Sequence, residues 1–409
     1  MSEKGKRRLK ERRFQLLILN TSKRKWGIRM KKILLSAALV LALSFFMDKP
    51  VYAAEATVDF TNMWGEYGMD EISDNLDRIL PNYEFDVHEV LSSILQGDIW
   101  NAIKLLWDGV KGMLFNELSG MRNIFVSILI LGIISALFSN FSDMFKSHQI
   151  ADIGFYFLYL LLMAVLMKSF LAAAGIASEA VENIVLFIKM FIPTYFMAIG
   201  AATGAATAAA YYQFTLFLVY GVEKLLLCIM MPLIYSYVLM ALMNGIWAEE
   251  RLTLMLEFLK KGIVLGLKVA MGTITGLSLF QSMITPVIDS LRTTAVKKAV
   301  SAIPGIGNLA EGVTEMLIGS AVLIKNSIGI LMLLLLLAIC LIPLAKLFVI
   351  ACIMKGSAAL VGIVSDKRIT GCTDRVGDGS LLLFRTTFTS VALFIITIAI
   401  VAYTTGKGM

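Results

Sequence analysis

Few residues in this chain have the types and spacing that chemistry requires. His88 is followed by Glu89, but no second histidine falls at the helical spacing of a zinc-protease motif, and His148 has no ligand-type neighbour in its short polar stretch. Cys228, Cys340 and Cys352 lie in apolar runs and Cys372 in a polar stretch that reads as a loop. None forms a CxxC pair, so all four are expected to be free thiols. No phosphate-binding GxxxxGK[ST] loop and no GxSxG serine elbow occurs, and Gly406-Lys407 lacks the glycine spacing and the strand such a loop needs. With no nucleophile and base pair, no metal set and no cofactor cradle, the expectation is a protein that is not an enzyme and carries no cofactor.

Charges in apolar surroundings are the remaining candidates. Lys168, Lys268, Lys346 and Arg385 all fall inside strongly apolar stretches, where a charge near a bilayer centre costs about 3 kcal/mol or more. Either their long stems carry the charge toward the membrane surface, or the cations meet an anion within the protein. No Asp or Glu falls in the middle of a predicted span, which disfavours a proton relay. Small residues form a second set. Gly262, Gly266, Gly272 and Gly276 make two GxxxG pairs in phase, and Gly200 and Gly204 repeat the spacing. Such faces let helices approach closely, within one chain or between copies.

The elements that must position these residues are membrane helices. At 58% hydrophobic and 16% charged residues, the 409-residue chain is too apolar for an ordinary soluble domain. A span needs about 20 apolar residues. That rule places candidates at 122–141, 153–176, 184–203, 205–222, 225–246, 262–284, 329–353 and 381–403, about eight transmembrane helices in an all-α fold. The stretch from Ala198 to Ala210 is only mildly apolar and would equally fit a re-entrant turn. Pro193, Pro232 and Pro343 fall inside spans and are expected to kink them.

Net charge of +7 does not point to nucleic acid, because residues 1–32 hold 13 Lys and Arg against Glu3 and Glu11. Residues 30–53 read as a signal peptide: Met30-Lys31-Lys32, an apolar run, then Val51-Tyr52-Ala53 with cleavage after Ala53. Residues 1–29 are then either an extension upstream of the true start or a basic cytoplasmic arm. Residues 54–121 form an acidic helical region outside the cytoplasm. In it Ile72, Leu76 and Ile79 recur at helical spacing, Val90, Leu91, Ile94 and Leu95 make a second stripe, and Ile99, Ile103, Leu106, Val110 and Met113 make a third, with Trp100 and Trp107 beside it. Packing among these helices is favoured over the headgroup layer, since anionic lipid would repel the acidic surroundings.

Spans one to six then occupy 122–284 and the last two lie in 329–409. Loops at 247–261 and 365–380 are predicted to be cytoplasmic from Arg251, Lys260, Lys261, Lys367, Arg368 and Arg375. The connection 285–328 would then lie outside, although it carries Arg292, Lys297, Lys298 and Lys325. That connection reads as an amphipathic helical hairpin. Its first helix lies on the surface to Ile303, and Pro304-Gly305-Ile306-Gly307 reverses the chain. Asn308 then caps a second helix with Glu311 completing a capping box. It is either a plain connector or a hairpin that docks partners and lines a pore.

The segment AIPGIGNLAEGVTEMLIGSAVLIKNSIGI within that hairpin, together with the leader, acidic region and spans, resembles the stage III sporulation protein AE family. The resemblance implies a multi-pass subunit of a secretion or feeding channel joining mother cell and forespore. It implies a place in the mother-cell membrane around the forespore. Its partners would be other stage III membrane proteins and a forespore-side protein, with a homo-oligomer as a further option, and no catalytic residue is carried over. A secondary transporter for a small, anionic solute is the alternative from the residues themselves.

Overall fold

A computed structural model describes residues 86–119, 148–203, 220–246, 251–300, 307–363 and 367–406, with a few isolated positions between. Every described element is helical, and no strand occurs among the described residues. In chain order they are α1 (Val87–Leu95), α2 (Ile99–Ser119), α3 (His148–Thr203), α4 (Met231–Asn244, preceded by a π turn at Leu226–Met230), α5 (Thr253–Val300), α6 (Gly307–Val361) and α7 (Lys367–Gly406).

The acidic region folds locally as its side chains dictate. Asp86 caps α1 by accepting from the His88 amide at 2.8 Å, and Gly97, at φ +82°, supplies the left-handed residue that reverses the chain. Asp98 then accepts from the Asn101 amide at 3.0 Å to start α2. Val87, Val90, Leu91 and Ile94 of α1 bury against Ala102, Leu106 and Val110 of α2, and both helices pack on α6. Trp100 and Trp107 stay outside this contact, 78% and 47% exposed. The tryptophan face is therefore not what holds the helices together.

Among the described residues, four helices are long and apolar enough to cross a membrane, over Ile153–Gly200, Tyr220–Asn244, Leu323–Val361 and Lys367–Ala399. Three expectations change here. The predicted spans 153–176 and 184–203 lie on one unbroken helix, because the polar break at Ser178, Glu179 and Glu182 interrupts hydropathy and not the backbone hydrogen bonds. The predicted surface helix from Pro286 is the continuation of α5, and the second hairpin helix is the start of α6. The stretch 367–380, expected as a loop, is helical, as is most of 247–261. Predicted spans 122–141 and 205–222 lie almost wholly outside the described residues, as do the leader and the 301–306 turn.

α7 is the hub of the bundle, packing on α3, α4, α5 and α6, with its longest contact along α6. Its burial tolerates many hydroxyls because five of them are satisfied within the helix. Thr373, Ser380, Thr386, Thr389 and Thr397 each donate to the carbonyl four residues earlier. Pro193 and Pro343 sit inside helices that run on past them, and Pro232 lies just after the π turn at Leu226–Met230 within the continuous helix Tyr220–Asn244.

Candidate functional site

The richest polar constellation lies where α5, α6 and α7 meet. Asp374 and Asp378 are four residues apart, so they share a face of α7. Asp378 accepts from two helices at once: Lys260 of α5 at 2.5 Å through one carboxylate oxygen, and Lys355 of α6 at 2.8 Å through the other. Lys355 also reaches Asp374 at 2.6 Å. The Asp378 side chain is only 14% exposed, while Asp374 is 51% exposed and forms the wet rim. Gly377 opens the approach, since a Cβ there would stand 3.2 Å from the Lys355 stem.

A second set of contacts closes the same end of the bundle. The Tyr159 hydroxyl of α3 donates to the Leu242 carbonyl of α4 at 2.6 Å, meeting an acceptor left open at a helix end. Gly245 makes room for that ring, because a Cβ would fall 2.3 Å from the Tyr159 oxygen. Asn244 is fully buried and accepts from the Leu252 amide at 2.7 Å, fixing the turn between α4 and α5. Arg375 reaches the Thr253 hydroxyl at 3.3 Å, and Arg368 lies over the Phe155 ring at 3.7 Å. Tyr159→Phe should cost about 1 kcal/mol, one hydrogen bond, in thermal melting of the purified chain. Gly245→Ala should cost more, because it displaces the ring and loses the same bond.

Chemically this node can clamp and orient helices. Both carboxylates are engaged by ammonium groups, and among the described residues no three His, Cys, Asp or Glu side chains converge as a metal site. Between α3, α6 and α7 an apolar recess is lined by Ile188, Tyr195, Met332, Phe394 and Thr397. The hydroxyls of Tyr195, Ser357, Thr387 and Ser390 are buried without a hydrogen-bond partner.

The residues singled out from sequence do not gather into one site. Lys168, Lys268 and Arg385 are exposed on α3, α5 and α7, and Lys346 is half-buried on α6. Carboxylates do occur within the long apolar helices, contrary to expectation: Glu179 and Glu182 on α3, Asp374 and Asp378 on α7. Of the glycines, Gly266 meets Met230, whose methyl would lie 3.0 Å from a Cβ, but Gly262, Gly272 and Gly276 face open space. They pack on no described helix. Gly200 is half-buried on α3, and Gly204 is outside the described residues. Pro304 and Gly305 are also outside them. Gly307 is the first residue of α6, and Asn308 and Glu311 follow at its start.

The closest approaches involve glycines that the spacing rule passed over. A Cβ on Gly379 of α7 would sit 2.2 Å from Val238 of α4. Cys372, expected in a loop, is buried on α7. The one sequence signal for the node was the Asp374/Asp378 pair itself, at helical spacing among glycines.

The family model described as stage III sporulation protein AE matches residues 85–405. The chain is 22% identical over 272 residues to Stage III sporulation protein AE of Bacillus subtilis (strain 168), covering 66% of this chain and 68% of that protein. No solved structure matches.

Proposed function

This chain belongs to the stage III sporulation protein AE family, and we propose from that membership that it is the multi-pass membrane subunit of a channel complex joining mother cell and forespore. In this reading it resides in the mother-cell membrane around the forespore and catalyses no reaction. It works by holding partner subunits, other stage III membrane proteins and a forespore-side protein. The observation that carries the reading is the length of α5 and α6. At 48 and 55 residues they extend roughly 70 and 80 Å, against a hydrocarbon core of about 30 Å. Tied at one end by the Asp378 node, both must continue beyond the bilayer at the other.

The node end carries Arg251, Lys260, Lys261, Lys355, Lys367, Arg368 and Arg375, and by the positive-inside rule it faces the cytoplasm. The segment 278–323 then projects from the opposite surface, where the acidic region 54–121 also lies after export. These two parts form the partner-binding side, with further spans from the residues before α3 and α4. Cysteines placed singly at 285–328 should react with membrane-impermeant maleimide when the chain is produced in the plasma membrane of intact, non-sporulating cells; labelling only after permeabilisation would reverse the topology. Pull-downs from sporulating cells should lose the stage III partners when 54–119 or 285–328 is deleted, and unchanged recovery would count against the assignment of that surface.

A small-solute permease is the second reading. The π turn at Leu226–Met230 supports it, since such turns mark functional breaks in spanning helices.

A further inference from the structure

We propose that copies of this chain associate side by side in the membrane, the outer face of α5 in one copy docking on the outer face of α3 in the next. This goes beyond the sporulation role and rests only on the helices being embedded in a bilayer.

Among the described residues, each face is unpartnered. On α5, Phe258, Leu265, Val269 and Gly272 recur at helical spacing and are all exposed, and Gly262, Gly272 and Gly276 have no atom near where a Cβ would stand. On α3, Leu171, Gly175, Glu179, Glu182 and Leu186 form an exposed stripe at steps of three and four. Helices α3 and α5 both pack on α7 and have little contact with each other, so the two faces are separate surfaces.

Charge selects the occupant. Lys268 sits in the α5 stripe and Glu179 and Glu182 in the α3 stripe, and none of the three has an ion-pair partner among the described residues. An isolated charge inside the bilayer is costly, whether cation or anion, and pairing removes most of that cost. Their heights match as well. Lys260 touches Asp378 and the Phe170 ring lies against Gly379, the next residue of α7, which sets α5 and α3 in register. Lys268 follows Lys260 by about 12 Å of helical rise, and Glu179 follows Phe170 by about 13 Å. Both helices run in the same sense from the node end, since Arg375 meets Thr253 near the start of α5 and Arg368 meets Phe155 near the start of α3.

Copies inserted the same way present Lys268 and Glu179 at one depth. The open glycines allow the backbones to approach within reach of that pair. Because the two faces differ, the contact is head-to-tail and repeats from copy to copy, so it closes into a ring when the rotation allows.

The test uses the full chain in lipid nanodiscs or liposomes with Cys228→Ala and Cys352→Ala to remove exposed thiols. Chains carrying Lys268→Cys with one tag are mixed with chains carrying Glu179→Cys with another and then oxidised. Disulfide-linked products bearing both tags are expected. Lys268→Glu alone should reduce the multimeric fraction about tenfold or more, and Lys268→Glu with Glu179→Lys and Glu182→Lys should restore it. Unchanged helical circular dichroism in each variant guards against unfolding. A chain that stays monomeric at every protein-to-lipid ratio, as lipid or a foreign helix covering these faces would leave it, overturns the proposal. So does a multimer that Lys268→Glu leaves intact.

Discussion

Replacing Asp378 with alanine should destabilise the bundle by about 3 kcal/mol, enough to deplete the folded chain from membranes. The residue is the single acceptor shared by Lys260 and Lys355, so its loss strips Lys260 of its carboxylate and leaves Lys355 held by Asp374 alone. Breaking a buried pair costs 3–5 kcal/mol in general, and the low end applies because the Lys260 and Lys355 side chains keep 38% and 33% exposure. Asp374→Ala should cost under about 1 kcal/mol, as expected for a wet rim contact. Apolar replacement of the whole set, with Lys260→Met, Lys355→Met and Asp378→Leu together, should recover much of the loss, since the penalty comes from uncompensated charge. Thermal melting in detergent with fluorescence readout separates these cases. Equal melting of Asp378→Ala and Asp374→Ala would show that the shared acceptor does not hold the helices.

Gly379→Ala should be the second severe change. Its added methyl would stand 2.2 Å from Val238, and Phe170 closes the site from α3 at 3.5 Å. Neither neighbour has a free direction, because Val238 is fully buried on α4 and Phe170 stacks edge-on against Tyr235 at 5.7 Å. Overpacking of this kind costs about 2–3 kcal/mol. Val238→Ala in the same chain should return most of it by removing the methyl in the way. The matching change Gly272→Ala should not lower the melting point of the single chain, because no described atom stands within 4 Å of that position and alanine is the better helix former. A Gly379→Ala chain that melts like the unmodified one would mean that α4 and α7 do not approach as described.

The contrast between those two glycines shows how far sequence reaches in this protein. Period and hydropathy locate helices, and α1 and α2 follow the stripes through Val90 and Ile94 and through Leu106 and Val110. The family resemblance read around Ile303–Ile330 falls within the 85–405 stretch that the family model matches. Helix ends are harder, because a hydropathy break and a chain break look alike in a list of residues. Glu179 and Glu182 interrupt an apolar run, yet a helix continues through them by turning both outward. Residues 367–380 contain three glycines and several polar groups and still form a helix, since Thr373 bonds its own backbone and Asp374 and Asp378 find lysines on two other helices. Lys355 is 19 residues from Asp374 and Lys260 is 118 from Asp378, so tertiary packing alone brings them together. Glycine spacing has the same limit. It marks a face on which helices can approach closely without saying whether a neighbour is there.

The central claim is that this protein serves spore development as a membrane-embedded assembly subunit. Heat-resistant spore counts in a strain lacking the chain test it most directly, with complementation by the intact chain and by the Asp378→Ala variant. The account predicts that spores are lost in the deletion, restored by the intact chain and not restored by the variant. A deletion strain that forms heat-resistant spores at the normal level would contradict it.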